Sequence, residues 1–361
     1  MLRNAVYLTP PQVVKPLHSA PQEELLQFLA EIHGTSDPQA ARLVQRFGVK
    51  ESQIASRSFE CSDVFLPAAE REIYRLGPGT EHGVSIYARG QFYARRVGEI
   101  FSEFYPASAL APDHLVHVTC TGYLAPSGAQ NLVSQRGWAT EITHAYHMGC
   151  YAALPAIRLA WGQSLAFGQA VDVVHTEICS LHMNPSDHRP EQLVVQSLFA
   201  DGHARYTVSQ KKTGPAFRLL ALHEQLLAGS AGDMEWMPAP WGMKMTLSRE
   251  VPVKIKGAVR EFLVALLKKS GLTLSEALRD AVFAVHPGGP KIIDSVQECL
   301  ELGPDQVAAS RLVLLERGNM SSATLPHVWD QIAMRKDTVP VVSLAFGPGL
   351  TMFGGVFQWE P

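Results

Sequence analysis

Charge is scarce in this chain: Asp, Glu, Lys and Arg make up 18% of its 361 residues, and the formal net charge is -3. A nucleic-acid binder leaves a basic footprint, so that class is excluded. Long apolar runs are also missing, and no membrane span is expected. Residues 1–20 carry Pro10, Pro11, Lys15 and His18, and no apolar stretch suited to export. Cysteine is sparse, and Cys61, Cys120, Cys150, Cys179 and Cys299 show neither a CxxC nor a zinc-like spacing. No metal site is expected, and an odd count without an export signal points to reduced thiols and a cytoplasmic protein. No repeat of solenoid period appears. Apolar residues, by contrast, make up 46% of the chain, enough for two domains or one large layered unit. The low charge suits a protein with much buried surface, such as an oligomer.

Strand and helix patterns alternate along most of the length, which indicates α/β layering. Met1–Val14 reads as an extended start. Helical patterns follow at Pro21–His33 and Pro38–Phe47, then a loop-like stretch at 51–67 and a long helix from about Glu81 to Tyr105. His114–Thr119 and the β-branched run Val171–Ile178 read as buried strands. Residues 228–240 read as a loop, and periodicity does not decide between strand and helix for 217–226. Val253–Ser270 is an amphipathic helix, Asp280–Val285 a strand, and Glu298–Glu316 a helix broken at Gly303-Pro304. Asn319–Met334 begins with capping residues and continues as a helix. Two apolar strands, Val339–Phe346 and Leu350–Trp359, close the pattern around Gly347-Pro348-Gly349. The two halves carry similar successions of elements, as a duplicated unit would.

Three stretches carry chemistry. The first is His147-Met148-Gly149-Cys150-Tyr151. Gly149 permits a sharp turn, and Pro155 fits the first turn of a helix starting just past the cysteine. The helix dipole there favours a thiolate, the nucleophilic form. The same stretch also fits a buried structural cysteine. The second is His286 at the end of a buried strand, before Pro287-Gly288-Gly289-Pro290, which aims it at a strand's carboxyl edge, where ligands bind in α/β sheets. A satisfied core histidine is the plain alternative. The third is Asn319 in Gly318-Asn319-Met320-Ser321-Ser322, which on its own fits an N-cap.

Taken together, HMGCYAALPAIRLA, VHPGGPKIID, GNMSSA and FGPGLT resemble the type III polyketide synthases, the chalcone synthase-like branch of the thiolase superfamily. Glu177, Pro185-Ser186-Asp187 and Ser197–Gly202 match as well, and the likeness covers roughly residues 80–355. The resemblance implies a five-layer αβαβα fold of two similar halves, 1–220 carrying the cysteine and 221–361 carrying His and Asn, and a homodimer. It implies that Cys150 holds an acyl starter, that His286 lowers the cysteine's pKa, and that His286 and Asn319 hydrogen-bond the malonyl-CoA carbonyl. Phe199 and Met245 match the two gatekeepers, the second usually aromatic in plant enzymes. Cys179, His182, Trp236 and Cys120 match cavity positions, and Ala125 a position near the dimer partner's cavity. Arg57, Gly288, Gly289, Lys291 and Ser321 are assigned to CoA, although residues 46–58 hold only Arg46, Lys50 and Arg57 as basic groups. The starter would arrive on CoA or on an acyl carrier protein, with no separate cofactor. The rivals are a ketoacyl-ACP synthase III-like condensing enzyme, a Cys-His-Asn hydrolase, and a non-catalytic binding protein.

Overall fold

The computed structural model describes residues 5–335 and 338–361, so the first four residues of the expected extended start lie outside it. Ten strands form the main sheet. Its path runs Val282–Val285, Pro340–Gly347, Thr351–Glu360, Ala216–Leu226, Tyr7–Leu8, Asp201–Ser209, Val171–Ile178, His114–Thr119, Glu141–Tyr146, and Gln12–Val14 pairs to the side of Asp201–Ser209. Tyr7–Leu8 is the seam between the halves. Leu8 faces Val208 on one side and Phe217 on the other, both antiparallel. Parallel pairing occurs within each half, as between His114–Thr119 and Val171–Ile178, and between Val282–Val285 and Pro340–Gly347.

Strand side chains alternate between faces, so each buried strand feeds two cores. Val116 and Val118 enter one core while Leu115 enters another. Likewise Val341 and Ala345 face the first core, and Val342 and Leu344 a third. The first core is shared by both halves. It holds Ala153, Ala156 and Ile157 of the Ala153–Phe167 helix, and Leu325, Val328 and Trp329 of the Thr324–Arg335 helix. The second lies under Gln22–Gly34 and Ile86–Phe104, and the third under Val251–Ser270 and Pro290–Leu300. Outer helices, sheet, central helix pair, sheet and outer helices make the five αβαβα layers of a thiolase-like fold.

Several local readings change. The 51–67 stretch contains a strand, Ser56–Phe59, which pairs with His18–Pro21 and is followed by a 3-10 turn at Ser62–Phe65. Ala216–Leu226 is a strand. The supposed loop at 228–240 contributes Met234–Ala239, half of a hairpin with Gly242–Leu247. Short helices at Gly128–Arg136 and Leu274–Asp280, each with a capping box, were not apparent in the apolar pattern. Asn319 is not an N-cap, because the helix starts only at Thr324, after a 3-10 turn. Asn319 instead bridges to Phe199 as a parallel β-partner.

Candidate active site

The strand Glu141–Tyr146 delivers the chain to the cysteine loop. His147 at φ 58 and Gly149 at φ 82 fold it back sharply. A Cβ on Gly149 would lie 2.7 Å from Pro348 Cδ, and one on Gly347 would lie 2.0 Å from the Tyr151 ring. The Gly347-Pro348-Gly349 turn therefore closes directly on this loop, and only glycine permits the approach. The helix begins at Ala153, with Ala152 as its cap, so Cys150 sits just ahead of it.

Asn319 arrives from the other half, its backbone fixed on both sides: its N–H donates to Leu198 O at 2.9 Å and its carbonyl accepts from Ala200 N–H at 2.8 Å. Its side-chain Oδ1 accepts from Ser321 N–H at 2.9 Å and Thr324 Oγ1–H at 3.3 Å. With the oxygen so engaged, Nδ2 is the free donor, and it points toward Gly288 O at 3.4 Å and toward the sulfur. His286 packs against that same Gly288, and both of its ring nitrogens are buried without a partner. Burial lowers its pKa to about 3, so the ring is neutral.

Cys150 differs from the expected thiolate. Burial pushes its thiol up to about 12, and hydrogen bonds from Ser321 and Asn319 only partly offset this. His286 does not hydrogen-bond to it, so the resting pair is thiol and neutral imidazole rather than an ion pair. Alkylation of Cys150 by iodoacetamide is therefore expected to accelerate about tenfold per pH unit from pH 7 to 10. A plateau near neutral pH would show the thiolate–imidazolium pair instead.

Ser321, assigned by resemblance to CoA, lies elsewhere. It is buried at φ 51 between two sulfurs, with Oγ 2.9 Å from Cys120 Sγ and a hydrogen bond to Cys150. Beneath them Glu177 is fully buried and accepts from Cys120 N–H at 3.1 Å and Thr121 Oγ1–H at 2.8 Å, and also from Ser322 Oγ–H. Arg57 is likewise no phosphate contact. It is 5% exposed, and its guanidinium donates to Gln22 Oε1, Gln196 O and Phe199 O. It ties the Phe199 backbone to the first helix. Lys291 is exposed, beside the Gly288-Gly289 turn.

The cavity residues do converge. Cys120, Cys150, Cys179, Phe199, Trp236, Met245 and Ser321 line one pocket. Trp236 and Met245 face each other across the hairpin, and Trp236 Nε1–H donates to Cys120 O at 2.6 Å. His182 Nε2–H donates to Thr121 O at 2.8 Å while Nδ1 accepts from Met243 N–H at 3.1 Å. Burial lowers its pKa to about 3, so His182 is a neutral strut under the hairpin. A second, larger pocket shares Cys179, Phe199, Trp236 and Met245 with the first and continues beneath the first helix to Leu25, Phe28, Leu29 and Val64. Its space, counting what is open to solvent, is about 800 Å³. The place of Ser321 at the sulfurs and the pairing of Trp236 with Met245 were missed because neither a positive φ nor a cross-strand pairing has a sequence signature here.

The layers define a thiolase-like α/β protein, with Cys150, His286 and Asn319 buried at the meeting of its two halves. The sequence matches the profiles for the N-terminal domain of chalcone and stilbene synthases over residues 104–211 and for their C-terminal domain over 219–359. Type III polyketide synthase C from Arabidopsis thaliana is 32% identical over 256 residues, which is 67% of this chain and 66%, just under two thirds, of that protein. The crystal structure of PKS-I from the brown alga Ectocarpus siliculosus superposes with a TM-score of 0.87 at 23% identity, covering all of both chains. That of 1,3,6,8-tetrahydroxynaphthalene synthase from Streptomyces coelicolor A3(2) gives 0.81 at 24%, covering 98% of this chain and 99% of its own. These two likenesses carry the fold. The chain belongs to the chalcone and stilbene synthase family.

Proposed function

We propose that this protein is a type III polyketide synthase, which loads an acyl starter on Cys150, extends it with malonyl-CoA and cyclises the product to a pyrone, resorcinol or related aromatic. The observation that carries this reading is Asn319 Nδ2, aimed at the buried Cys150 thiol and at Gly288 O, with the unpartnered His286 ring against that same Gly288. Cys150 takes the acyl group as a thioester. The neutral His286 and Asn319 donate to the malonyl thioester oxygen, which becomes an enolate oxygen as carbon dioxide leaves. The enolate carbon attacks the acyl group and the sulfur departs. Decarboxylation supplies the carbanion, so a carboxylate base is not required.

Substrates arrive as CoA thioesters in this reading, with Lys291 and the Gly288-Gly289 turn on the CoA side, or the starter comes on an acyl carrier protein. The larger pocket supports a starter with an apolar tail. Its polar lining is turned to protein partners: Asp63 accepts from Ile73 and Tyr74 N–H, Tyr74 OH donates to Ser180 O, and Gln196 bonds His33 and Asn184. What faces the space is hydrocarbon, which favours an alkyl group. A homodimer is supported by Leu159, Leu165 and Phe167, exposed along one helix. The five free cysteines support a reducing, cytoplasmic setting. No helix among the described residues is long and apolar enough to cross a membrane.

Incubation with labelled malonyl-CoA and a panel of acyl-CoAs tests the reading. Condensed products are expected, with alkyl starters preferred, and Leu29→Trp shifts that preference to shorter chains. Release of free acid alone would indicate a hydrolase, and an unchanged length profile would place the tail elsewhere.

A further inference from the structure

Cys150, His286 and Asn319 are buried, yet the proposed extension consumes a proton. In each cycle the malonyl C–CO2 bond breaks, the new C–C bond forms, and the C–S bond to Cys150 breaks with its electron pair left on sulfur. Cys150 must regain a proton, because burial strongly favours its thiol form. When the thiol next attacks the extended CoA thioester, that proton leaves with the CoA sulfur. The sum is one proton taken up for each carbon dioxide and CoA thiol released.

A continuous hydrogen-bonded chain links Glu177 to the protein's edge. Tyr146 OH lies 2.8 Å from His117 Nδ1, and His117 Nε2 lies 2.8 Å from Thr176 Oγ1. Thr176 Oγ1 lies 2.9 Å from Tyr93 OH, which donates to Thr119 Oγ1 at 2.9 Å. Thr119 Oγ1–H donates to Glu177 Oε2 at 3.3 Å. The chemistry of the ends fixes the sense of the whole chain. Glu177 Oε2 accepts from Thr119 and Thr119 from Tyr93, so Thr176 donates to Tyr93, His117 Nε2–H to Thr176, and Tyr146 to His117. Each group has one proton to give and all point the same way. On the inner side Cys120 Sγ lies 3.5 Å from Glu177 Oε1 and 2.9 Å from Ser321 Oγ, and Ser321 reaches Cys150. At the outer end Tyr146 is half-buried, and the exposed His144 is joined to Ser127 at 2.9 Å.

We propose that this chain is a proton conduit that reprotonates Cys150 after each condensation, running from solvent at Tyr146 through His117, Thr176, Tyr93 and Thr119 to Glu177, Cys120 and Ser321. It rests on the polyketide synthase reading. Burial raises the pKa of the Glu177 carboxyl. Protonated at Oε1, it gives that proton to Cys120 as Oε2 takes one from Thr119, so the carboxyl passes the charge without a net change. Tyr146, His117, Thr176, Tyr93 and Thr119 act through Glu177 and are positioning residues.

Loading and extension separate the proposal from a structural role. Loading an acyl group from CoA onto Cys150 exchanges one thiol for another and needs no proton from outside. In Thr176→Val and Tyr146→Phe, extension is expected to fall by about 100-fold, while single-turnover loading, followed by intact-protein mass, falls far less. Thr176→Ser, which keeps the hydroxyl, recovers extension, and imidazolium buffer accelerates Tyr146→Phe more than the wild type. Extension at the wild-type rate in both variants overturns the conduit, as does an equal fall in loading and extension. Failure of the wild-type protein to condense at all would instead remove the underlying reading.

Discussion

Cys150→Ala yields a protein that takes up no starter, and product formation falls by roughly 10⁴-fold or more. The loss is complete because the other cysteines at the site cannot substitute. Burial raises the Cys120 and Cys179 thiols well above the ordinary range, and neighbouring Glu177 raises them further. Neither receives the hydrogen bond from Asn319 that helps to lower Cys150. Intact-protein mass after incubation with acyl-CoA is the direct measurement. An acyl adduct persisting in Cys150→Ala, mapped to either of the other thiols, would overturn the assignment. Cys150→Gln removes the sulfur but leaves Asn319 and His286 in place. It is therefore expected to keep decarboxylating malonyl-CoA while making no carbon–carbon bond.

Asn319→Asp lowers malonyl decarboxylation by about 10²–10³-fold, a barrier increase of roughly 3–4 kcal/mol. The substitution isolates the donor. An aspartate at this position still offers an oxygen to Ser321 N–H and Thr324 Oγ1–H, the two bonds that orient the wild-type amide. It cannot supply Nδ2–H, and when ionised it sets a negative charge where the enolate develops. Carbon dioxide release in the absence of starter reports the step without interference from loading. A wild-type rate in Asn319→Asp would assign enolate stabilisation to His286 alone.

The residues of the centre were legible only as a set, through the resemblance of their motifs, because each stretch alone also fits a structural role: Gly149 before the sulfur, the Pro287–Pro290 turn after His286, the Gly318 turn before Asn319. The buried strands were legible from apolar runs such as Val171–Ile178. What depends on distant partners was not. Met234–Ala239 contains Pro238 and follows Ala231-Gly232-Asp233, so it reads as loop, and only its pairing with Gly242–Leu247 makes it a strand. Arg57 reads as a free cation in a polar segment, but its partners Gln196 and Phe199 lie far along the chain. Ser321 was assigned to CoA, but its φ of 51 turns its hydroxyl to the sulfurs. The thiol's protonation state was beyond reach for the same reason. A helix start read from sequence carries no measure of burial, and burial decides the outcome.

The turn that closes on the cysteine loop has a bearing on biosynthesis. Pro348 and Gly347 fill the space against Gly149 and Tyr151, yet they leave the ribosome long after the sulfur does. Until they arrive, the reactive loop has no wall behind it, and Asn319, also late, cannot yet meet the thiol. The three side chains of the centre can therefore come together only once nearly the whole polypeptide has been made.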